Sequence, residues 1–164
     1  MKTIRSAINI AQPQELVFDL TQNYAKRLEW DPYLSEAYLM KNATAPAVGV
    51  DAYCKNRNGS VMVSRYISFN RPSVAAVNMI KGPKILKRFS GAWNVHKIDE
   101  QHSELIFTYH FDLRWGIVGS LLTPELLSNL VYGIQAAFSV DCSSSCLPSL
   151  KMTLLTTKVN KLNP

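Results

Sequence analysis

The feature that most constrains this chain is the strict alternation of residues 104–114. Apolar and aromatic side chains occupy every second position, and mostly polar ones stand between them. The apolar positions are Leu105, Phe107, Tyr109, Phe111 and Leu113. Because successive side chains of a strand point to opposite faces, this pattern predicts a strand with one buried face. An antiparallel sheet with one covered face is the usual setting for such a strand.

Turn residues divide the preceding stretch into further strands. Asn58–Gly59 is a strong signal for a two-residue hairpin, and Gly82–Pro83 marks another turn. The polar residues 99–102 separate the last two strands. A weaker alternation over 3–10 predicts a strand at the start of the chain. The strands predicted between these turns cover 33–41, 48–57, 61–69, 73–80 and 85–98.

Helical patterns occur on both sides of the strand region. Pro13 is placed for a first helical position, and the apolar spacing after it predicts a short helix, or two with a break near 21–23. Asp31–Pro32 ends this segment. Thr123 and Pro124 open a long amphipathic helix. Its apolar stripe consists of Leu127, Leu130, Val131, Ile134, Ala137 and Phe138.

Composition indicates one globular domain over residues 1–164, although the segment from about 148 has no firm pattern. The net charge is +6, but the basic residues are scattered, which favours a solvated surface over a nucleic-acid interface. The three cysteines and the absence of a signal-peptide pattern predict reduced thiols in the cytoplasm. Every apolar run is shorter than the roughly 18 residues that a membrane-spanning helix needs. The oligomeric state is left open.

The order strand, short helices, six-strand meander and long helix resembles the START-like, helix-grip superfamily. Gln12–Leu20 looks like the opening helix of its polyketide cyclase/dehydrase-like members, and Glu29–Pro32 looks like their tryptophan-acid-proline corner. Gly82–Trp93 resembles a hairpin of these members and of the coenzyme Q-binding branch. The likeness covers about residues 3–141, and Cys142–Pro148 departs from it. It implies an α+β helix-grip fold, in which a curved antiparallel sheet wraps around a long C-terminal helix, with two short helices after the first strand.

The resemblance also implies a cavity between the sheet and the last helix. The predicted apolar ligand wall consists of Trp93, Phe107, Tyr109, Phe111, Leu127, Val131 and Ile134. Apolar pockets lined by aromatic side chains suit small hydrophobic molecules or lipids. The alternative is a filled core made of the same residues.

Four polar side chains are candidates for contacts with such a ligand. Tyr66 and Tyr109 carry hydroxyls that need partners when buried. The predicted alternation places Arg65 on the same strand face as Val61, Val63, Ile67 and Phe69. If that face is concave, Arg65 would anchor a carboxylate or phenolate, and Asn78 depends on the same question. If the face is convex, both are exposed.

Residues 115–122 combine glycines with Trp115, Ile117 and Leu122, which suggests a lid that touches ligand or, transiently, a membrane surface. An ordinary surface loop is the alternative. The chain has no phosphate loop, dinucleotide fingerprint or metal-ligand spacing, so neither a cofactor nor a metal is expected.

Three functions remain open on these grounds. Binding or transport of a hydrophobic molecule ranks first. A polyketide cyclase or dehydrase is the second hypothesis, with Tyr109, Tyr66, Arg65 or Asp31 as proton-transferring groups. Association with ribosomes, suggested by the basic charge and by a coenzyme Q-related branch, ranks third because the chain has no basic cluster.

Overall fold

The computed structural model describes residues 1–114, which form seven strands and two short helices. The predicted break between the helices is present, and each strand lies within a few residues of its predicted bounds. The elements are β1 Lys2–Ile10, α1 Gln14–Gln22, α2 Arg27–Trp30, β2 Leu34–Leu39, β3 Asp51–Asn56, β4 Val61–Asn70, β5 Val74–Lys81, β6 Leu86–Lys97 and β7 Ser103–Leu113. Pro13 stands one position earlier than predicted, as the residue before the first helical turn.

The strands form one curled antiparallel sheet in the order β1-β7-β6-β5-β4-β3-β2. Each of β2 to β7 pairs with its neighbour along the chain. The exception is β1, which closes against β7 with Ile8 opposite Leu105 and Ile4 opposite Tyr109. This pairing brings the two ends of the described segment together.

One face of the sheet, called here the inner face, packs on α1 and α2. In β7 the buried positions Leu105, Phe107, Tyr109 and Phe111 follow the predicted alternation. Val17 and Phe18 of α1 and Trp30 of α2 belong to the same buried core as Leu105, Phe107 and Tyr109. Burying apolar side chains on one face of a sheet and one side of a helix is the main favourable term in folding such a domain.

A bulge in β4 corrects one prediction about that strand. The pairing with β5 slips between Tyr66 and Ser68, which adds a residue on the β4 side. Phe69 therefore turns to the inner face, where its ring meets Phe18 at 5.4 Å and Tyr66 at 5.8 Å. The predicted face shared by Arg65 and Phe69 is wrong, because a bulge reverses the alternation beyond it.

The connection between the two helices is held by a local side chain. Asn23 Oδ1 accepts hydrogen bonds from the N–H groups of Ala25 and Lys26, which turns the chain away from α1. Asp31 stops α2 after four residues, where the following proline disfavours helix. As a result, α2 directs Arg27 and Trp30 toward the sheet.

The predicted C-terminal helix, the 115–122 loop and the Cys142–Pro148 segment lie outside the described residues. Within residues 1–114, no helix is long and apolar enough to cross a membrane.

Candidate functional site

Aromatic side chains from β6 and β7 form a continuous surface on the inner face, called here the aromatic wall: Phe89, Trp93, Phe107, Tyr109 and Phe111. Tyr109 stacks on Phe89 at 5.4 Å and on Phe107 at 6.4 Å between ring centroids. Trp93 stands edge-on to Phe107 at 6.2 Å and to Tyr109 at 6.3 Å. The alternation of the two neighbouring strands explains this arrangement, because Trp93 and Phe107 are direct partners across the ladder.

Gly91 gives Tyr109 the space for its position in the wall. Gly91 lies opposite Tyr109 in the β6–β7 ladder. A Cβ atom at this position would lie 2.9 Å from Cε1 of Tyr109 and 3.1 Å from its Cδ1. The phenol ring therefore lies over the glycine backbone, where any side chain would displace it.

A buried arginine faces the aromatic wall from α2. Nε of Arg27 donates to Oδ2 of Asp31 at 3.2 Å, and its Nη2 lies 3.0 Å from the same oxygen. Nη1 donates to the carbonyl oxygen of Thr21 at 3.2 Å. Both side chains of the ion pair are buried, with 9% and 2% of their surface exposed. Burial is the largest single effect and by itself would lower the pKa of Arg27. The charge of Asp31, together with smaller contributions from Tyr24, Cys54 and Tyr109, more than offsets it, so the pKa is raised. The guanidinium therefore carries a full charge inside the protein.

Two tryptophan rings lie against this guanidinium. Its central carbon is 4.2 Å from the ring centroid of Trp30 and 5.7 Å from that of Trp93. Contacts of this kind stabilise a cation, more so where water is excluded. The indole N–H groups of Trp30 and Trp93 are buried, and neither has an acceptor among residues 1–114.

A second polar group lies beside α1. The Tyr66 hydroxyl donates to Oε1 of Gln22 at 2.8 Å and lies 3.4 Å from the hydroxyl of Tyr24. Burial raises the pKa of both phenols. A buried tyrosine hydroxyl needs a hydrogen-bond partner, and for Tyr66 that partner is the side-chain amide of Gln22.

Tyr109 is the phenol of the aromatic wall. Burial raises its pKa far above the ordinary value, although the charge of Arg27 acts in the opposite direction. The hydroxyl therefore stays protonated at neutral pH and is able to donate a hydrogen bond.

Arg65 and Asn78 lie on the outer face, directly opposite each other in the β4–β5 ladder. Arg65 donates from Nε and Nη2 to Asp51 at 2.6 and 2.9 Å, and about half of its side chain is exposed. Asn78 is exposed. A ligand contact was predicted for Arg65 and Asn78 only if their face of the sheet were concave. Both lie on the outer face, so that condition is not met.

The remaining predicted positions fall into two groups. Trp93, Phe107, Tyr109, Phe111 and Tyr66 come together on the inner face. Leu127, Val131 and Ile134 lie outside the described residues.

An open surface depression lined by Leu28, Leu34, Ser35 and Arg57 shares no residue with the aromatic wall. Because it is shallow, it would bury little of a small ligand.

Sequence reasoning missed the buried Arg27 as a candidate site residue. A single arginine in a short polar helix is ordinarily exposed, so its type alone carried no signal. The spacing of Arg27 and Asp31 is the one available clue, because residues four apart on a helix face each other. Asp31, proposed as a proton-transferring group, is occupied instead by Arg27 and by the N–H of Tyr33 at 3.2 Å. Within the described part of the chain, no three His, Cys, Asp or Glu residues cluster as metal ligands.

A curled antiparallel sheet with two short helices after the first strand fits the helix-grip fold of START-like proteins. Residues 1–139 match the family described as polyketide cyclase / dehydrase and lipid transport. The chain belongs to that family, and the predicted superfamily and polyketide cyclase/dehydrase-like branch are confirmed.

Solved structures share this fold at low sequence identity. A START superfamily protein from Mycobacterium smegmatis is 8% identical, with a TM-score of 0.72 over 84% of this chain and 97% of that one. The Zhui aromatase/cyclase from Streptomyces sp. R1128 is 19% identical, with a TM-score of 0.59 over 83% and 87%. A major latex-like protein from Panax ginseng is 9% identical, with a TM-score of 0.68 over 85% and 96%. No curated protein matches the chain in sequence.

Proposed function

We propose that this protein binds, and carries, a hydrophobic small molecule or lipid against the aromatic wall. The aromatic wall is the observation that supports this proposal most directly. Its rings come from two adjacent strands, contact one another face-on or edge-on, and are buried on one face of the sheet. Aromatic rings offer a large apolar surface at low entropic cost, which is the character of small-molecule pockets.

The remainder of the chain completes the proposal. The amphipathic pattern of residues 124–140 suits a helix that covers the inner face, with Leu127, Val131 and Ile134 toward the ligand. Residues 1–164 would then act as one domain. Family membership supports this function, since the family description includes lipid transport.

Native mass spectrometry of gently purified protein tests the proposal. We expect a bound apolar molecule in stoichiometric amount, which organic extraction then assigns to a chemical class. Bare protein whose melting temperature does not move with lipids, quinones, sterols or aromatic polyketides would refute the proposal. In that case the same residues form only a filled core.

Matched variants locate the binding site. Phe107→Leu and Tyr109→Leu remove rings from the aromatic wall and should weaken retention of the ligand. The control is Tyr38→Leu, because Tyr38 stacks on Tyr53 at 4.7 Å on the outer face of the sheet. Equal loss in the wall and control variants would place the ligand elsewhere. Near-ultraviolet circular dichroism checks that each variant is folded.

A further inference from the structure

The polar groups beside the aromatic wall contain more hydrogen-bond donors than acceptors. Arg27, Trp30 and Trp93, called here the donor cluster, lie against one another through the guanidinium. The contacts of Arg27 with Asp31 and Thr21 use only part of its five N–H groups. The indole N–H groups of Trp30 and Trp93 have no acceptor in the described segment. Their residues are only 3% and 7% exposed.

Three neighbouring side-chain oxygens already receive hydrogen bonds from the protein itself. Oδ2 of Asp31 accepts from Arg27, and its Oδ1 accepts from the N–H of Tyr33. Oε1 of Gln22 accepts from the hydroxyl of Tyr66. Leaving a buried donor without a partner costs about 1–3 kcal/mol, so an arrangement of this kind favours a partner that brings an acceptor.

We propose that the ligand carries a carbonyl-type oxygen, in a ketone, ester or carboxylate, that accepts hydrogen bonds from the donor cluster. This inference rests on the proposed function and adds the chemical class of the ligand's polar end. Because Asp31 already balances the charge of Arg27, the oxygen need not be anionic. An ammonium group would bring only further donors and a like charge, so it is disfavoured.

The geometry is suited to orienting an elongated ligand. The donor cluster meets the aromatic wall at Trp93, which belongs to both. Phe89 and Tyr109 continue the wall away from Trp93 without adding a charge. The carbonyl end would therefore lie at Trp93 and the apolar body along the rings toward Phe89.

The test uses two ligand series that differ only in the polar end. One is decanoate, methyl nonyl ketone, decanol and decylamine; the other is naphthoate, acetylnaphthalene, naphthylmethanol and naphthylmethylamine. Calorimetry or tryptophan quenching gives each affinity. We expect the ketone and carboxylate to bind about tenfold tighter than the alcohol, and the amine weakest, as one or two added hydrogen bonds would produce. Comparing the ketone with the carboxylate separates a neutral from an anionic ligand.

Two variants assign the preference to the donor cluster. Trp93→Phe keeps an aromatic ring and removes the N–H. Arg27→Met with Asp31→Leu removes both partners of the ion pair together, which avoids an isolated buried charge. Each should reduce the tenfold preference to below about threefold, measured as the ratio of the ketone and alcohol affinities of the same variant.

The outcomes separate this inference from the proposed function. If compounds bind without preference for the carbonyl, or if both variants retain the preference, the donor cluster serves only to tie α2 to the sheet and the inference fails alone. If no compound of either series binds and native mass spectrometry finds bare protein, the proposed function fails and this inference fails with it. If an extracted ligand lacks a carbonyl-type oxygen, only this inference fails.

Discussion

Replacing Asp31 with asparagine isolates the buried charge of Arg27. The substitution keeps the shape of the side chain and removes its negative charge. Arg27 keeps its hydrogen bond to the Thr21 carbonyl and its contacts with Trp30 and Trp93. Breaking a buried ion pair from one side costs about 3–5 kcal/mol, and these remaining contacts favour the lower value. For a domain of this size, that loss lowers the melting temperature by roughly 6–20 °C.

The assay is urea unfolding followed by near-ultraviolet circular dichroism, repeated as a thermal melt. Asp19→Asn is the control because Asp19 receives two hydrogen bonds from Arg71, at 2.7 and 2.8 Å, on the exposed surface. Water screens this pair, so its loss should change stability far less than the loss of Asp31. The double variant Arg27→Met with Asp31→Leu should recover most of the stability, since no charge is left unpaired.

A similar small loss for Asp31→Asn and Asp19→Asn would refute the reasoning. That result would mean that water reaches Arg27 in the folded protein. A double variant that is as unstable as Asp31→Asn would show that packing around α2, and not the unpaired charge, sets the cost.

Three further predictions concern other parts of the sheet. Burial raises the pKa of Tyr24, Tyr66 and Tyr109, so above pH about 10 the unfolded state loses protons that the folded state keeps. The contribution of these phenols to the free energy of unfolding is complete below that pH and falls above it, by about 1.4 kcal/mol per pH unit for each phenol. If the absorbance showed these three tyrosines ionising while the dichroism of the folded protein was still intact, this prediction would be contradicted. Gly91→Ala should cost about 1–3 kcal/mol in urea unfolding and weaken ligand retention, because the new methyl group displaces the ring beside it; an unchanged midpoint would contradict the close approach. Arg65→Gln should leave ligand retention unchanged, since the side chain lies on the outer face; a loss measured by native mass spectrometry would place a binding site there.

The strands were predictable because each carries its own local signal. Alternation in β7 and the turn at Asn58–Gly59 depend only on neighbouring residues, so the sequence locates them without knowledge of the partners. The predicted two-residue loop is wrong in length, because β3 ends at Asn56 and β4 begins at Val61. The aromatic wall was predictable for the same reason: Trp93 and Phe107 lie on the buried sides of strands joined by a short turn.

The face of Arg65 was not predictable in this way. Alternation groups residues that share a face, but it does not say which face is covered when both contain apolar and polar side chains. The bulge after Tyr66 places Phe69 on the other face, and no glycine or other turn residue in the sequence indicates the bulge. Only the packing of the helices shows that Tyr66 is inside and Arg65 outside.

The sequence by itself determined the order of strands and helices, the faces of the last two strands and the resemblance to the helix-grip superfamily, because these depend on short-range periodicity and local motifs. Only the tertiary structure decided that Arg27, and not Arg65, carries the charge beside the aromatic wall. A charge is stable in the interior only when its partners are in place around it. For Arg27 those partners include Asp31 on the same helical segment and Trp93 on a distant strand, and their meeting is a property of the folded sheet.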